Sequence, residues 1–400
     1  MRLPQTILQA LAIGLISCVA MQEPAWADDS VSAPILIGLN ADMSASSAIG
    51  GEAIRRGAII AIDEINRAGG VLGRPFTLTV RDHRGNPDRG IDNINDLASN
   101  EDLVAVIGGV HTPVAMAELE TVHEHGIVYL GPWAAGALVV DHSYEPNFVF
   151  RVSVRDAYAG EFLIDAALER GYRHPAFLLW QTTWGRSNEV AMRTALESRG
   201  KQPAAIEWFN TGAKSVTKQL EAIKRAGADV VMLIAEPNGA ATAVRDMAVL
   251  APEERLAIIA DWGLTAGEFH RDVRDDLSAV DLKFLQTFTF FDPPFPDRAN
   301  RVLAAYCNHF GDCDGPVSVR APTGFAHAYD LVYLLARAIE AAGTVERSQV
   351  RQALERLKRH AGLVRLYQPP FTPTDHDALA PDDYRLAAYD ENGVIVPLDF

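Results

Sequence analysis

The sequence predicts an α/β fold with two doubly wound lobes, each built on a parallel sheet. Short apolar segments alternate with amphipathic segments of helical period from residue 34 to residue 260. Such alternation is typical of parallel sheets that helices cover on both faces. The chain has 400 residues, enough for two to three domains at about 100–200 residues per domain. A closed eight-fold barrel is the alternative architecture.

The first lobe begins with a predicted strand at residues 35–39 and a helix at residues 53–66 whose apolar side chains fall on one face. Gly69 and Gly70 mark the end of this helix, because glycine is common just past a helix C-terminus. The remaining predicted elements of the lobe are strand 76–80, helix 91–100, strand 104–107, helix 114–125 and strand 127–130.

The same alternation continues into a second lobe. No sharp linker rich in Pro, Gly or Ser separates the two, which fits lobes joined by several short crossings. The predicted elements of the second lobe are helix 157–170, strand 176–180, helix 187–199, strand 204–208, helix 215–226, strand 229–234, helix 239–250 and strand 256–260.

Charge and motifs exclude several classes of protein. The 36 basic and 52 acidic residues give a net charge of −16, which argues against binding to nucleic acid or to an anionic membrane. The chain has no G-x-S-x-G, H-E-x-x-H or P-loop motif. His123 and His125 are two residues apart and would face apart on a helix. We therefore predict neither an enzyme nor a metal site.

The N-terminus reads as an export signal. Arg2 precedes an apolar run at residues 7–21, and Pro24 with the small-x-small triplet 25–27 follows. This pattern predicts a signal peptide over residues 1–27 and a mature periplasmic protein. The run is shorter than the roughly 20 residues of a membrane span. A bacterial lipoprotein anchored at Cys18 is the alternative.

Cys307 and Cys313 are the two cysteines of the predicted mature chain. Five residues separate them, including Gly311, so a short loop can bring their Cα atoms within bonding range. An oxidising periplasm permits the bridge. We predict a disulfide, with two free thiols as the alternative.

An ordered set of segments resembles a known family. In order and spacing the chain resembles the type I periplasmic solute-binding proteins, in the leucine/isoleucine/valine-binding branch that serves ABC importers. The segments that carry the resemblance are residues 57–75 (GAIIAIDEINRAGGVLGRP), Arg81-Asp82, residues 105–109, residues 127–132, Phe150-Arg151 with Asp156 and Gly160, and Trp184-Gly185.

The resemblance implies two α/β lobes with three hinge crossings near residues 152, 287 and 365. It also implies a receptor that closes around a small polar, carboxylate-bearing ligand and delivers it to an ABC permease. We expect a monomer without a cofactor. Two other functions are alternatives to the transport receptor. The first is a ligand-sensing module for a signalling partner, and the second, less favoured, is an exported enzyme. The implied lobes are 34–152 plus 287–364, and 153–286 plus 365–400.

Ligands of open α/β sheets bind at the carboxyl ends of the strands. The helix after Thr112 offers free N–H groups to a carboxylate, and the relatives hold the ligand carboxylate with a Ser or Thr at this place. Helix capping is the alternative role. Ala135 stands where the relatives usually have a nearby threonine. The predicted ligand residues of lobe one are Ser44, His111, Thr112, Trp133, Ala134 and Ala135.

In lobe two the predicted ligand residues are Tyr158, Trp184, Glu236 and Asp261. Trp184 would supply an aromatic wall. Relatives that bind amino acids place a carboxylate near Asp261, where it pairs with the ligand ammonium. The aromatic residue often found before Pro237 is absent. These departures leave an amino acid, an amide and a small organic acid open as ligands.

Overall fold

The computed structural model describes residues 33–311 and 313–398. The predicted signal peptide, including Cys18, lies outside the described residues. Within them, no helix combines the length and apolar character needed to cross a membrane.

The first sheet has five parallel strands in the order β2-β1-β3-β4-β5. All seven residues of β1 are buried, as expected for a strand that helices cover on both faces. The strands are β1 Ile35–Ala41, β2 Phe76–Asp82, β3 Leu103–Ile107, β4 Val128–Gly131 and β5 Val149–Arg151.

Six helices accompany this sheet. The long helices α1 and α10 pack against each other, α2 packs against α3, and α11 contacts α10 and β4. Their bounds are α1 Ala48–Arg67, α2 Pro87–Ala98, α3 Thr112–Glu124, α9 Pro296–Phe310, α10 Pro322–Ala342 and α11 Arg347–Leu354.

The second sheet has seven strands in the order β14-β13-β10-β9-β8-β6-β7. The strands are β6 Pro175–Trp180, β7 Ile206–Phe209, β8 Val230–Ile234, β9 Ala257–Ala260, β10 Leu282–Gln286, β13 Arg385–Tyr389 and β14 Ile395–Pro397. The helices of this lobe are α4 Asp156–Glu169, α5 Thr183–Ser198, α6 Thr217–Arg225, α7 Pro237–Ala248 and α8 Phe269–Leu277.

The predicted fold class is confirmed, with one difference in the second sheet. Strands β6 to β10 pair in parallel, but β13 pairs antiparallel with β10 and β14 antiparallel with β13. An antiparallel edge on an otherwise parallel sheet is common in large α/β sheets. The sequence pattern ended at residue 260 and did not predict these C-terminal strands.

A buried ion pair holds the C-terminal region on the first sheet. The Arg151 guanidinium, at the end of β5, donates two hydrogen bonds to the Asp377 carboxylate, and both side chains are almost fully buried. The short strands β11 His360–Ala361 and β12 Leu366–Tyr367 pair nearby, and Tyr367 donates to Asp330 of α10. The chain therefore stays with the first sheet past residue 365, where the third crossing was expected, and joins the second sheet only at β13.

Cys307 lies in α9 and Cys313 follows the end of this helix. Gly311 caps the helix in the left-handed conformation, with a φ of 74°, which glycine adopts without steric penalty. The two cysteines are joined in a disulfide with their Cα atoms 5.0 Å apart.

Candidate functional site

The carboxyl ends of the central strands of both sheets meet at one cleft. Loops after β3 and β4 contribute His111, Thr112, Trp133 and Ala135. The second sheet adds residues after or at the ends of β6, β8 and β9. These are Trp180, Trp184, Glu236, Trp262 and Gly263.

The cleft is closed and narrow. Its free volume is about 20 Å³, which is room for about one water molecule. Four tryptophans line it: Trp133, Trp180, Trp184 and Trp262. The Trp133 and Trp262 rings lie 5.2 Å apart across the lobes, and Trp184 packs beside Gly263. A Cβ atom on Gly263 would lie 2.5 Å from the Trp184 ring, so only glycine allows this close approach.

A histidine–carboxylate contact, which is an ion pair when the imidazole is protonated, crosses the cleft. Nε2 of His111, from lobe one, lies 3.1 Å from Oε1 of Glu236, from lobe two, and both side chains are largely buried. Ser46 Oγ approaches the other carboxylate oxygen at 3.5 Å. Burial works against a charged imidazole, but the hydrogen bond and the charge of Glu236 outweigh it and raise the pKa of His111.

Thr112 begins α3 at the floor of lobe one. Its Oγ1 accepts a hydrogen bond from the Gly136 N–H at 3.1 Å, which joins the loops that follow β3 and β4. The hydroxyl hydrogen stays available as a donor, and the first turn of α3 presents free backbone N–H groups. This side of the cleft therefore offers donors to an anionic group.

Beside Trp184 and Trp262, on residues that do not themselves line the cleft, lie buried oxygen atoms without a hydrogen bond of normal geometry. Both carboxylate oxygens of Asp156, Oδ2 of Asp261 and Oδ1 of Asn188 make no hydrogen bond of normal geometry with another described residue. The indole Nε1 of Trp184 also lacks a hydrogen bond of normal geometry, but Ser187, Asn188 and Trp184 all act on the Asp156 carboxyl as hydrogen-bond partners. Buried polar groups in native proteins are almost always satisfied, and Oδ2 of Asp261 is the carboxyl oxygen of this group for which no donor is described.

Burial disfavours the charged forms of both carboxyl groups, and the charge of Asp156 further disfavours that of Asp261. Burial raises the pKa of Asp156 to about 6, against the lowering effect of Ser187, Arg151, Asn188 and Trp184 nearby. Burial and then repulsion by Asp156 hold the pKa of Asp261 well above its usual range, although the Trp262 N–H donates to it. A cation placed between them would stabilise both charges.

The structure brings most of the predicted site residues together, but not all. Ser44 is exposed, and its hydroxyl donates to the carboxylate of Asp82, the last residue of β2, at 2.6 Å. This hydroxyl therefore does not point into the cleft. The Arg155 guanidinium carbon lies 5.4 Å from the centroid of the Tyr158 ring. Tyr158 packs under this group and does not line the cleft. The Ala134 carbonyl accepts from Arg151, which gives this residue a role in holding the loop.

Sequence reasoning did not assign several residues that line the cleft: Val110, Pro113, Trp180, Trp262 and Gly263. It used Asp156 in the resemblance but did not reveal that this carboxyl group is buried beside Trp184. Among the described residues no group of three His, Cys, Asp or Glu side chains is placed to hold a metal ion.

Comparisons with known proteins agree with this geometry. A family model described as periplasmic binding protein matches residues 34–393. A protein of Brucella abortus named Leu/Ile/Val-binding protein homolog 1 is 25% identical over 348 residues, which is 86% of this chain and 86% of that protein.

Two solved structures share the fold. A periplasmic binding protein type 1 of Bordetella pertussis superposes with a TM-score of 0.82 at 21% identity, over 92% of this chain and 100% of that one. A branched-chain amino acid transporter substrate binding protein of Streptococcus pneumoniae, in complex with isoleucine, has a TM-score of 0.74 at 19% identity, over 91% and 100%. The resemblance seen in the sequence is confirmed: this chain belongs to the type I periplasmic binding protein family.

Proposed function

We propose that this protein is an extracytoplasmic receptor that closes around one small amino acid or similar zwitterion and delivers it to an ABC permease. The observation that carries the proposal is the opposed chemistry of the cleft walls. Lobe one presents hydrogen-bond donors at the start of α3, and the other lobe holds the buried carboxyl groups of Asp156 and Asp261 directly beside two tryptophans of the cleft, Trp184 and Trp262.

The acceptor side favours a ligand that carries an ammonium group. Asp156 and Asp261 are 0% and 1% exposed, and buried carboxylates are expensive unless they are paired or protonated. An ammonium brings three donors and a positive charge. A plain organic acid would bring a further negative charge next to two carboxyl groups, so this wall supports an amine-bearing ligand over an acid without a basic nitrogen.

The donor side accommodates the carboxylate of the same ligand. Thr112 is 3% exposed, and its hydroxyl stands at the N-terminus of α3, where the helix dipole favours an anion. The tryptophans between the two walls would contact the ligand side chain. A zwitterion would therefore span the cleft with its carboxylate on lobe one and its ammonium near Asp261.

Closure is the proposed mechanism of capture. A cleft with room for about one water molecule admits a ligand only after the lobes separate or the tryptophans move. The segments between β5 and α4, after β10, and before β13 connect the two sheets, and they are the segments able to absorb such a change. Delivery to a permease and periplasmic location rest on the family and on the predicted signal peptide.

Substitution of Asp261 tests the ligand class. We expect Asp261→Asn to weaken calorimetric binding of the natural amino acid ligand by tenfold or more, because the ammonium loses a charge-assisted hydrogen bond. Glu253→Gln, an exposed carboxylate of the same lobe, is the matched control and should bind as the parent does. Equal affinity in Asp261→Asn and the parent would contradict the proposed ammonium position.

A further inference from the structure

A second concave site lies in lobe one and shares no lining residue with the cleft. It lies between α9, α10 and β11 and has a volume of about 440 Å³, within the range of small-ligand sites. Helix α9 contributes Arg298 and Arg301, three residues apart, while α10 contributes Tyr329, Tyr333 and Arg337 at intervals of four. These spacings place each set on one face of its helix.

The charge of this site is opposite to that of the protein as a whole. Three guanidinium groups and one carboxylate, Glu64, line it, and the Glu64 Oε2 already accepts from Tyr329 at 2.6 Å and from Tyr333 at 2.8 Å. No described carboxylate lies within 4.0 Å of the three arginine head groups, although the charge of the buried Asp330, which does not line the cavity, acts on Arg298. The lining residues thus carry an excess of two positive charges in a chain of net charge −16.

A buried histidine completes the lining. His360 is 8% exposed, and its imidazole makes no side-chain hydrogen bond to another described residue, although the ring stacks between Tyr333 and Tyr367 at 6.1 Å from each. Burial, and then the charges of Arg337 and Arg298, lower the pKa of His360 to about 4. The imidazole is therefore neutral, with one N–H free to donate, and the arginines that disfavour its protonation favour an anion.

We propose that this site, the arginine cavity (Arg298, Arg301, Arg337 and His360), binds a phosphate-bearing anion. A phosphate monoester carries close to two negative charges at neutral pH, which matches the charge excess of the lining. Guanidinium groups bind phosphate oxygens bidentately, and Arg301 and Arg337 extend from facing helices. Arg298 also donates to the Ala361 and Gly362 carbonyls, which fixes its position at the cavity wall.

The phosphate group can belong to a soluble metabolite or to a lipid headgroup, and two probes separate these sources. The soluble probe is glycerol 3-phosphate, titrated by calorimetry at low ionic strength. The membrane probe is a vesicle of phosphatidylcholine with phosphatidic acid, whose headgroup is a phosphate monoester, tested by co-sedimentation against phosphatidylcholine alone. Binding of the soluble probe assigns a metabolite, and binding of the anionic vesicle assigns a headgroup.

The double variant Arg301→Ala/Arg337→Ala provides the test of location. Both side chains are exposed, so the fold should be unaffected, and binding of whichever probe the parent binds should fall at least tenfold. Arg225→Ala, an exposed arginine of lobe two, should bind as the parent does. In NMR spectra the His360 ring signals should shift with probe in the parent and not in the double variant.

Two results would overturn the proposal: no binding of either probe to the parent, or binding that the double variant retains unchanged. Because the arginine cavity and the cleft share no residue, neither result bears on the proposed receptor function.

Discussion

His111 and Glu236 form a buried contact between the two lobes, with Nε2 and Oε1 3.1 Å apart, and this contact is an ion pair when the imidazole is protonated. Each residue precedes a helix, His111 before α3 and Glu236 before α7, so the contact joins the binding edges of the two sheets. Since the partners belong to different lobes, separation of the lobes must break the pair. Closure is therefore coupled to the charge of one histidine.

We expect the ligand-free protein to open as the pH rises. Glu236 raises the pKa of His111 in the closed form in spite of burial, so the pair stabilises closure at low pH and this stabilisation is lost as the pH rises through the raised value. The other groups that act on His111 are Asp42 and the His83 ring, which lies 5.6 Å away and stays neutral because burial lowers its pKa to about 4.

Small-angle scattering measures this opening. The radius of gyration should be larger at about pH 8 than at about pH 5. Glu236→Gln should remove most of the difference, whereas Glu253→Gln should keep it. A parent radius that does not change with pH would show that the ion pair does not control closure.

Capture of an ammonium group should release protons at about pH 6. The pKa of Asp156 is raised to about 6 and that of Asp261 well above its usual range, in each case first by burial. A ligand cation lowers both pKa values, so the two carboxyl groups release a fraction of their protons to the buffer when the ligand binds. Calorimetry in two buffers with different ionisation enthalpies should then give different heats, and Asp261→Asn should reduce the difference. Equal heats in both buffers would argue against a buried cation.

Thr112 should contribute to affinity through its hydroxyl. Thr112→Ala removes both the hydrogen bond from Gly136 and the proposed donor to the ligand carboxylate, at about 1.5–3 kcal/mol for a charge-assisted bond. We expect affinity to fall roughly ten- to a hundredfold. Thr112→Ser keeps the hydroxyl and should restore most of the binding. If the alanine variant binds as tightly as the parent, Thr112 is a helix residue without contact to the ligand.

Glu118 should make the protein less stable as the pH rises. Burial raises its pKa from an ordinary value of 4.5 to about 8, against hydrogen bonds from Tyr129 and Asn40. A carboxyl group with a raised folded-state pKa stabilises the fold below its unfolded value and loses that contribution as the pH rises through the folded value. The loss is on the order of 5 kcal/mol at most, at about 1.4 kcal/mol for each pH unit.

Urea unfolding measures this effect. Glu118→Gln has no charge to bury; its amide oxygen can accept from Asn40, and its NH2 group can donate to the Tyr129 hydroxyl oxygen in place of the bond that Tyr129 donates. Its midpoint relative to that of the parent should therefore be higher at about pH 8 than at about pH 5. A difference in urea midpoint between variant and parent that does not change with pH would contradict the raised pKa of Glu118.

Local sequence patterns predicted the strands and the loops of the site but not the contacts that complete it. Helix α5 begins at Thr183, four residues before the predicted start, because Thr182 caps it by accepting from the Gly185 N–H. The Arg151–Asp377 pair joins residues 226 positions apart, which no local period reveals, and it displaces the third crossing.

Asp156 illustrates the same limit at the site. In the sequence it is an acidic residue at the start of a helix, a common position for a solvated charge. Only the packing of α4 against α5 shows that it is fully buried beside Trp184 and Asn188. Ser44 shows the reverse, because its loop was correctly placed and its hydroxyl turns to Asp82.

The most direct test of the proposed function is the identity of the molecule that the protein retains. Purified protein is denatured, and the released small molecules are identified and counted by mass spectrometry. We predict one molecule per chain that carries both a carboxylate and a basic nitrogen, and calorimetry should show that the same compound rebinds to the refolded parent. A retained, rebinding molecule with no basic nitrogen would contradict the role given to Asp156 and Asp261.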